Sequence, residues 1–182
     1  MDTTKLNEIM QSVESDVSFI DEMMTDIIKD YSGDLDVIMK NIHDEVLAVD
    51  YPAIYTIEKY FMELSNILYF TCEKVERLGI YDSMSKAKAQ ESYNRKYLEV
   101  TNPSVGKKPT VGETQAMSEN AAMYDRTVND IYNKAYKVLK AKVEAAETMT
   151  STLSKILSHR MQESQLTTNQ VERRILNEDN AF

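Results

Sequence analysis

The sequence predicts an all-α protein: a long antiparallel helical hairpin with an N-terminal amphipathic, coiled-coil-like arm, completed by further copies of itself. Three observations predict this. Four Gly and three Pro in 182 residues are too few for the turns of a strand-rich domain. Apolar residues recur at three- and four-residue spacing over segments far longer than a strand. The longest such stripe needs a partner of similar length, and one exists earlier in the chain.

The arm comes first. Leu6, Val13, Ile20 and Ile27 lie seven apart, with Met10, Val17, Met24 and Tyr31 between them, an a/d seam. Glu14, Asp16, Asp21 and Asp30 accompany it, so two parallel copies would set like charges together. The seam reads either as a helix that packs on another helix of an oligomer or as an ordinary amphipathic surface helix. Ser32-Gly33-Asp34 reads as the end of this helix and the cap of a short one over about 34–48, with Leu35, Ile38, Ile42, Val46 and Val49 on one side. Asp50-Tyr51-Pro52 is a break and restart.

A long helix follows over 53–100. Tyr60, Leu64, Ile67, Leu68, Thr71, Val75, Leu78, Ala89, Tyr93 and Val100 fall in one arc at about 100° per residue. Gly79 and Asp82-Ser83 could mark a kink or a break with a new N-cap, and a continuous or gently kinked helix is expected. Residues 101–112 hold two prolines and two glycines and form the loop. Beyond them Met117, Ala121, Tyr124, Val128, Ile131, Ala135, Leu139, Ala146, Met149, Leu153, Ile156, Leu157 and Met161 form one stripe. Its span is about 75 Å at ~1.5 Å per residue. Residues 166–182 are polar, then end in Val171-Glu172-Arg173-Arg174-Ile175-Leu176, a short helix or a frayed tail. The domain division is therefore an acidic helical arm at 1–50, the hairpin at 51–165 and a polar tail at 166–182. A hairpin of this shape has a large surface for its volume, so a homo-oligomer is expected.

Composition excludes several classes of function. Charged residues make up 28% of the chain, and no apolar run approaches the roughly 20 residues that span a bilayer. Met1-Asp2-Thr3-Thr4 lacks the pattern of a signal peptide, so the expectation is a cytoplasmic protein with no membrane partner. The lone Cys72 reads as a reduced core thiol. His43 and His159 have no ligand spacing around them, and one cysteine gives no zinc framework. Asp30–Asp36 fails as a calcium loop because Leu35 stands where glycine is required. Gly106-Lys107-Lys108-Pro109 lacks the upstream glycine and the Ser/Thr of a phosphate loop. No nucleophile and base pair up, so the reading is a non-enzyme without metal or cofactor.

Charge carries the one functional signal. Residues 1–50 hold 13 acidic and 3 basic side chains, and the remaining 132 hold 17 and 18. Within that near-neutral body, between Met84 and Lys108, Lys86, Lys88, Arg95, Lys96, Lys107 and Lys108 face only Glu91 and Glu99, and Tyr93 and Tyr97 lie among them. A basic strip with aromatics suits single-stranded nucleic acid, whose phosphates meet Lys and Arg and whose bases stack on tyrosine. The competing reading is a solvated face whose lysine stems cover apolar surface.

The order of elements also resembles a known family. Lys86-Ala87-Lys88-Ala89 and Tyr93-Asn94-Arg95-Lys96-Tyr97 close a long helix. Lys108-Pro109-Thr110-Val111-Gly112-Glu113 lies in the loop, and Leu153-Ser154-Lys155-Ile156-Leu157-Ser158-His159-Arg160-Met161 ends the next helix. Over about 55–165 this layout resembles the phage recombination mediators, the UvsY-like proteins. The resemblance implies a ring-forming helical protein that binds single-stranded DNA without sequence preference and helps load a recombinase in place of a single-strand-binding protein. It implies DNA contact at Arg95, Lys96 and Tyr97, and assembly through Leu153, Ile156, Leu157 and Met161. The chain departs from the family in its overall acidity and its longer arm. The alternative is a helical structural, adaptor or inhibitor protein that acts only through protein contacts.

Overall fold

The computed structural model describes residues 3–102 and 109–179, with side chains for 13–15, 17–102 and 109–170. Among these residues the chain is helical but for the connector at 48–53 and the ends of the loop at 102 and 109–110, and has no strands. Helix α1 spans Thr3–Ile42, a π-helical turn follows at His43–Leu47, α2 spans Ile54–Thr101 and α3 spans Val111–Asp179. Two compact units form. The first joins α1 up to Ser32 with Cys72–Ala141, and the second joins Gly33–Thr71 with the chain from Lys142 onward.

The helices differ from the sequence reading at both ends. Helix α1 runs through Ser32-Gly33-Asp34 without a break. The Ser32 hydroxyl donates to the Ile28 carbonyl one turn back (2.9 Å), so the residue expected to cap a new helix satisfies itself inside the old one. Helix α3 continues to Asp179 through the segment read as tail. Helix α2 passes Gly79 and Asp82-Ser83 uninterrupted. Gly79 has a packing role, because a Cβ there would come 3.2 Å from the Tyr136 ring of α3. Cys72 is exposed, on the outer side of α2, and is not a core thiol.

In the second unit the seam is apolar. Leu35, Ile38, Ile42 and Val46 from α1 and the π turn meet Ile57, Tyr60, Leu64 and Leu68 from α2, and Val143, Ala146 and Leu153 from α3, all buried. The π turn closes when the Ala48 N–H donates to the His43 carbonyl (2.8 Å). The turn carries Glu45, which accepts from the Tyr60 hydroxyl. Burial first, then this hydrogen bond and the Glu45 charge, pushes Tyr60 up to about 12. Arg160 of α3 ties the connector down. Its side chain is 10% exposed, its guanidinium lies over the Tyr51 ring, and Nη2 donates to the Pro52 carbonyl (2.9 Å).

In the first unit α2 and α3 run antiparallel, with Val75, Leu78, Ile131, Ala135 and Leu139 buried and a polar seam beside them. The Asn129 amide donates to the Asp82 carbonyl (3.0 Å) and to Asp82 Oδ1 (3.1 Å), and the Asn133 amide donates to both Asp82 carboxylate oxygens. Ser92 donates to Asp125 (2.5 Å). Thr114, Ser118 and Ala122 are buried, whereas Met117, Ala121 and Tyr124, read from the sequence as the buried stripe, face outward. The seam is therefore rotated by about one residue from its apolar pattern. The buried hydroxyls make this possible. Thr114 donates to the Thr110 carbonyl and Ser118 to the Thr114 carbonyl, so neither leaves an unpaired donor inside.

Candidate nucleic-acid interface

The basic island lies on the last four turns of α2, and α3 begins a few residues later with a capping box. The Glu113 carboxylate accepts from the Thr110 N–H (2.8 Å) and hydroxyl (2.9 Å), and the Glu113 N–H donates back to Thr110 Oγ1 (3.3 Å). These bonds hold the Glu113 carboxyl below its ordinary range. The cap starts α3 at a fixed residue and so sets which α3 side chains come alongside the island.

At about 100° per residue the island divides between two sides of α2. Lys86, Tyr93 and Tyr97 share one side. The two tyrosine rings are half-buried and near-parallel, with centroids 6.2 Å apart. Arg126 of α3 lies over Tyr93 at 5.5 Å. Lys88 and Arg95 share the other side, both exposed. Lys88 stands 3.7 Å from the mostly buried Asp125, and Lys96, half-buried, pairs with Glu99 at 3.0 Å. Lys86 and Arg95 form no ion pair among the described residues. Lys107 and Lys108 lie outside the described residues.

Arg126 and Asp125 are the participants that sequence reasoning missed. Their partners become visible once the hairpin is reflected about its loop, which brings 125 and 126 alongside 92 and 93.

Beside Lys88 an open, apolar-walled groove runs between α2 and α3. Tyr81, Met84, Ala87 and Lys88 line one wall, and Val128 and Tyr132 the other. Tyr81 and Tyr132 stack at 5.6 Å. Tyr31 of α1 sits at this end. Burial raises its hydroxyl above the ordinary tyrosine range, and the Tyr81 and Tyr132 hydroxyls add to the rise while Arg77 opposes it.

The residues read as an assembly helix lie in the second unit. Leu153 is wholly buried in that unit's core, Ile156 and Leu157 are half-buried, and Met161 is exposed. Among the described residues no group of three His, Cys, Asp or Glu side chains is arranged to hold a metal ion, and no helix is long and apolar enough to cross a membrane. His43 and His159 are exposed. Compared with protein-family models, curated proteins and solved structures, the chain matches none.

Proposed function

We propose that this protein is a non-enzymatic, helical accessory protein that binds single-stranded nucleic acid along the side of α2 bearing Lys86, Tyr93 and Tyr97. The stacked Tyr93–Tyr97 pair with Arg126 over it carries the reading. Aromatic faces held by their neighbours lose little freedom when a base stacks on them, and a cation beside them meets the adjoining phosphate. Lys86, on the same side, supplies charge that no ion pair among the described residues takes up. In the role implied by the likeness to recombination mediators, the protein works as a homo-oligomer, delivers single-stranded DNA to a recombinase in place of a single-strand-binding protein, and makes or breaks no bond.

A fluorescent single-stranded oligonucleotide titrated at several salt concentrations tests the reading. Binding should weaken steeply as salt rises. Tyr93→Ala with Tyr97→Ala should cost about 1–3 kcal/mol per lost stacking contact. Lys86→Ala should weaken binding and flatten the salt dependence, whereas Arg95→Ala, on the opposite side of α2, should change binding less. Absence of binding at low salt rejects the reading.

One observation favours a second reading, an adaptor that meets only proteins. Tyr55, Met62 and Tyr69 stand seven apart on α2 in the second unit, all exposed, with Phe70 edge-on to Tyr69 at 5.3 Å. An outward aromatic stripe at heptad spacing is a surface for another helix. Light scattering on the full chain separates a self-associating protein from one whose stripe awaits a different partner.

A further inference from the structure

The outward side of α2 in the second unit reads nearly the same in both directions. Tyr55, Met62 and Tyr69 run along its middle, 75%, 70% and 74% exposed. At about 100° per residue, Glu58 and Ser65 flank them on one side and Lys59 and Asn66 on the other, all exposed. The band lies opposite the buried Ile57, Tyr60, Leu64 and Leu68. Counted outward from Met62, Lys59 mirrors Ser65, Glu58 mirrors Asn66 and Tyr55 mirrors Tyr69. No charge mirrors a like charge.

A twofold interface asks for such a face, because a residue that meets another must also be met by it in the second copy. Antiparallel copies centred on Met62 set Tyr55 across from Tyr69 of the other copy and Met62 across from its own counterpart. Lys59 then falls beside the other copy's Asn66, and Glu58 beside its Ser65. Parallel copies in register would instead set Glu73, next on the same stripe of α2, against itself. The face can also be dried. The Ser65 hydroxyl donates to the Phe61 carbonyl (2.7 Å), so covering it leaves no unpaired donor. Phe70 stands edge-on to Tyr69 (5.3 Å) and restrains that ring before any partner arrives, which lowers the cost of ordering it. An aromatic side chain contributes about 150–250 Å², so two such faces bring together roughly 1,000 Å², the lower end for a specific interface.

We propose that the protein forms a twofold-symmetric dimer through this face, α2 against α2, antiparallel about Met62. The dimer gives self-association a surface that Leu153, buried in its own unit, cannot supply. It deepens the second reading by making a second copy the partner of the stripe, and it stands whether or not nucleic acid binds.

Cross-linking and light scattering on the full chain test the dimer. In a Cys72→Ser background, a chain carrying both Lys59→Cys and Asn66→Cys should form covalent dimers in most molecules under mild oxidation, and either cysteine alone should give few. The two positions lie about 10 Å apart along α2, too far for a bridge within one chain. Light scattering on the natural chain should report a dimer that dissociates on dilution. Tyr55→Ser with Tyr69→Ser should weaken it by about tenfold or more, with the helices intact by circular dichroism. Tyr124→Ser, at an equally exposed tyrosine of the first unit, should leave it unchanged. Molar salt should release a bound oligonucleotide and spare the dimer. A chain that is monomeric at every concentration, a dimer indifferent to the Tyr55 and Tyr69 changes, or a cysteine pair that yields no more dimer than either single variant overturns the proposal. Failure of oligonucleotide binding alone leaves the dimer standing and rejects only the nucleic-acid reading.

Discussion

The two units solve the same problem, three helical segments packed side by side over apolar residues, and differ in the polar bonds that the first adds between α2 and α3. The second unit fills its seam with Leu35, Ile38, Ile42, Ile57, Leu64 and Leu153, where stabilisation scales with apolar area removed from water. The first buries Val75, Leu78, Ile131, Ala135 and Leu139 as well, but flanks them with Ser92 and the half-buried Asp82, Asn129, Asn133 and Asp125, which contribute little net energy per bond but hold one alignment of α2 against α3. A row of leucines tolerates a slip of one heptad at modest cost. A carboxylate that must meet two particular amides does not. The difference follows the placement of the candidate interface, which depends on Arg126 reaching Tyr93 and Asp125 reaching Ser92, so the register of the first unit matters more than its depth of burial.

The largest expected effect lies in the apolar seam. Leu64 is fully buried, and Leu64→Ala should destabilise the chain by about 2–5 kcal/mol through lost transfer energy and a residual cavity. Thermal or denaturant unfolding measures the loss. Hydrogen exchange locates it, and protection should fall in the second unit more than around Asn129. A loss spread evenly over the chain would mean that the two seams unfold as one and that the contrast drawn between them has no energetic content.

The polar seam should respond in a more diagnostic way. Asp82→Ala takes both carboxylate acceptors from the Asn133 amide, while Asn129 keeps the residue-82 carbonyl and Ser85 Oγ, at a cost of about 1–3 kcal/mol. Asp82→Leu with Asn129→Leu and Asn133→Leu removes donors and acceptor together and should recover most of that stability. What the triple variant should not recover is alignment. A spin-label pair at positions 86 and 126 should report one sharp distance in the natural chain and a broadened distribution in the triple variant. A single sharp distance there would show that the polar contacts do not set the register.

The same contrast explains which parts of the fold were legible in the sequence. The α2 arc from Tyr60 through Val100 could be read because its buried residues are mostly large and apolar, and their period is the helical period. The start of α3 was misread by about one residue because its apolar side chains, Met117 and Tyr124, lie outside while Thr114 and Ser118 lie inside. Apolar periodicity has no means of seeing a buried hydroxyl that bonds to its own helix. Ser32-Gly33 was misread for a related reason, since a residue type favoured at caps also satisfies itself by back-bonding within a helix. The basic island was visible as charge. The pairing of Lys88 with Asp125 was not visible, because it depends on cross-helix register, which the polar seam sets.

The smallest effect concerns how that register begins. The sequence Thr110-Val111-Gly112-Glu113 has the capping-box pattern, and the box fixes the first turn of α3 next to the island. Thr110→Ala should cost about 1 kcal/mol by the usual loss of an N-cap. The Glu113 contribution depends on pH with a definite sign. Its carboxyl is held below the ordinary glutamate range in the folded chain by the Thr110 N–H and hydroxyl, so the folded state binds the proton less readily than the unfolded one. The stabilisation is complete above the ordinary glutamate value and fades as pH falls through the lowered folded value. Natural chain and Glu113→Gln should therefore differ in melting temperature near neutral pH and converge in acid. A difference that persists at low pH would mean that Glu113 acts through the shape of its side chain rather than its charge. The first turn of α3 would then be set by Thr110 alone.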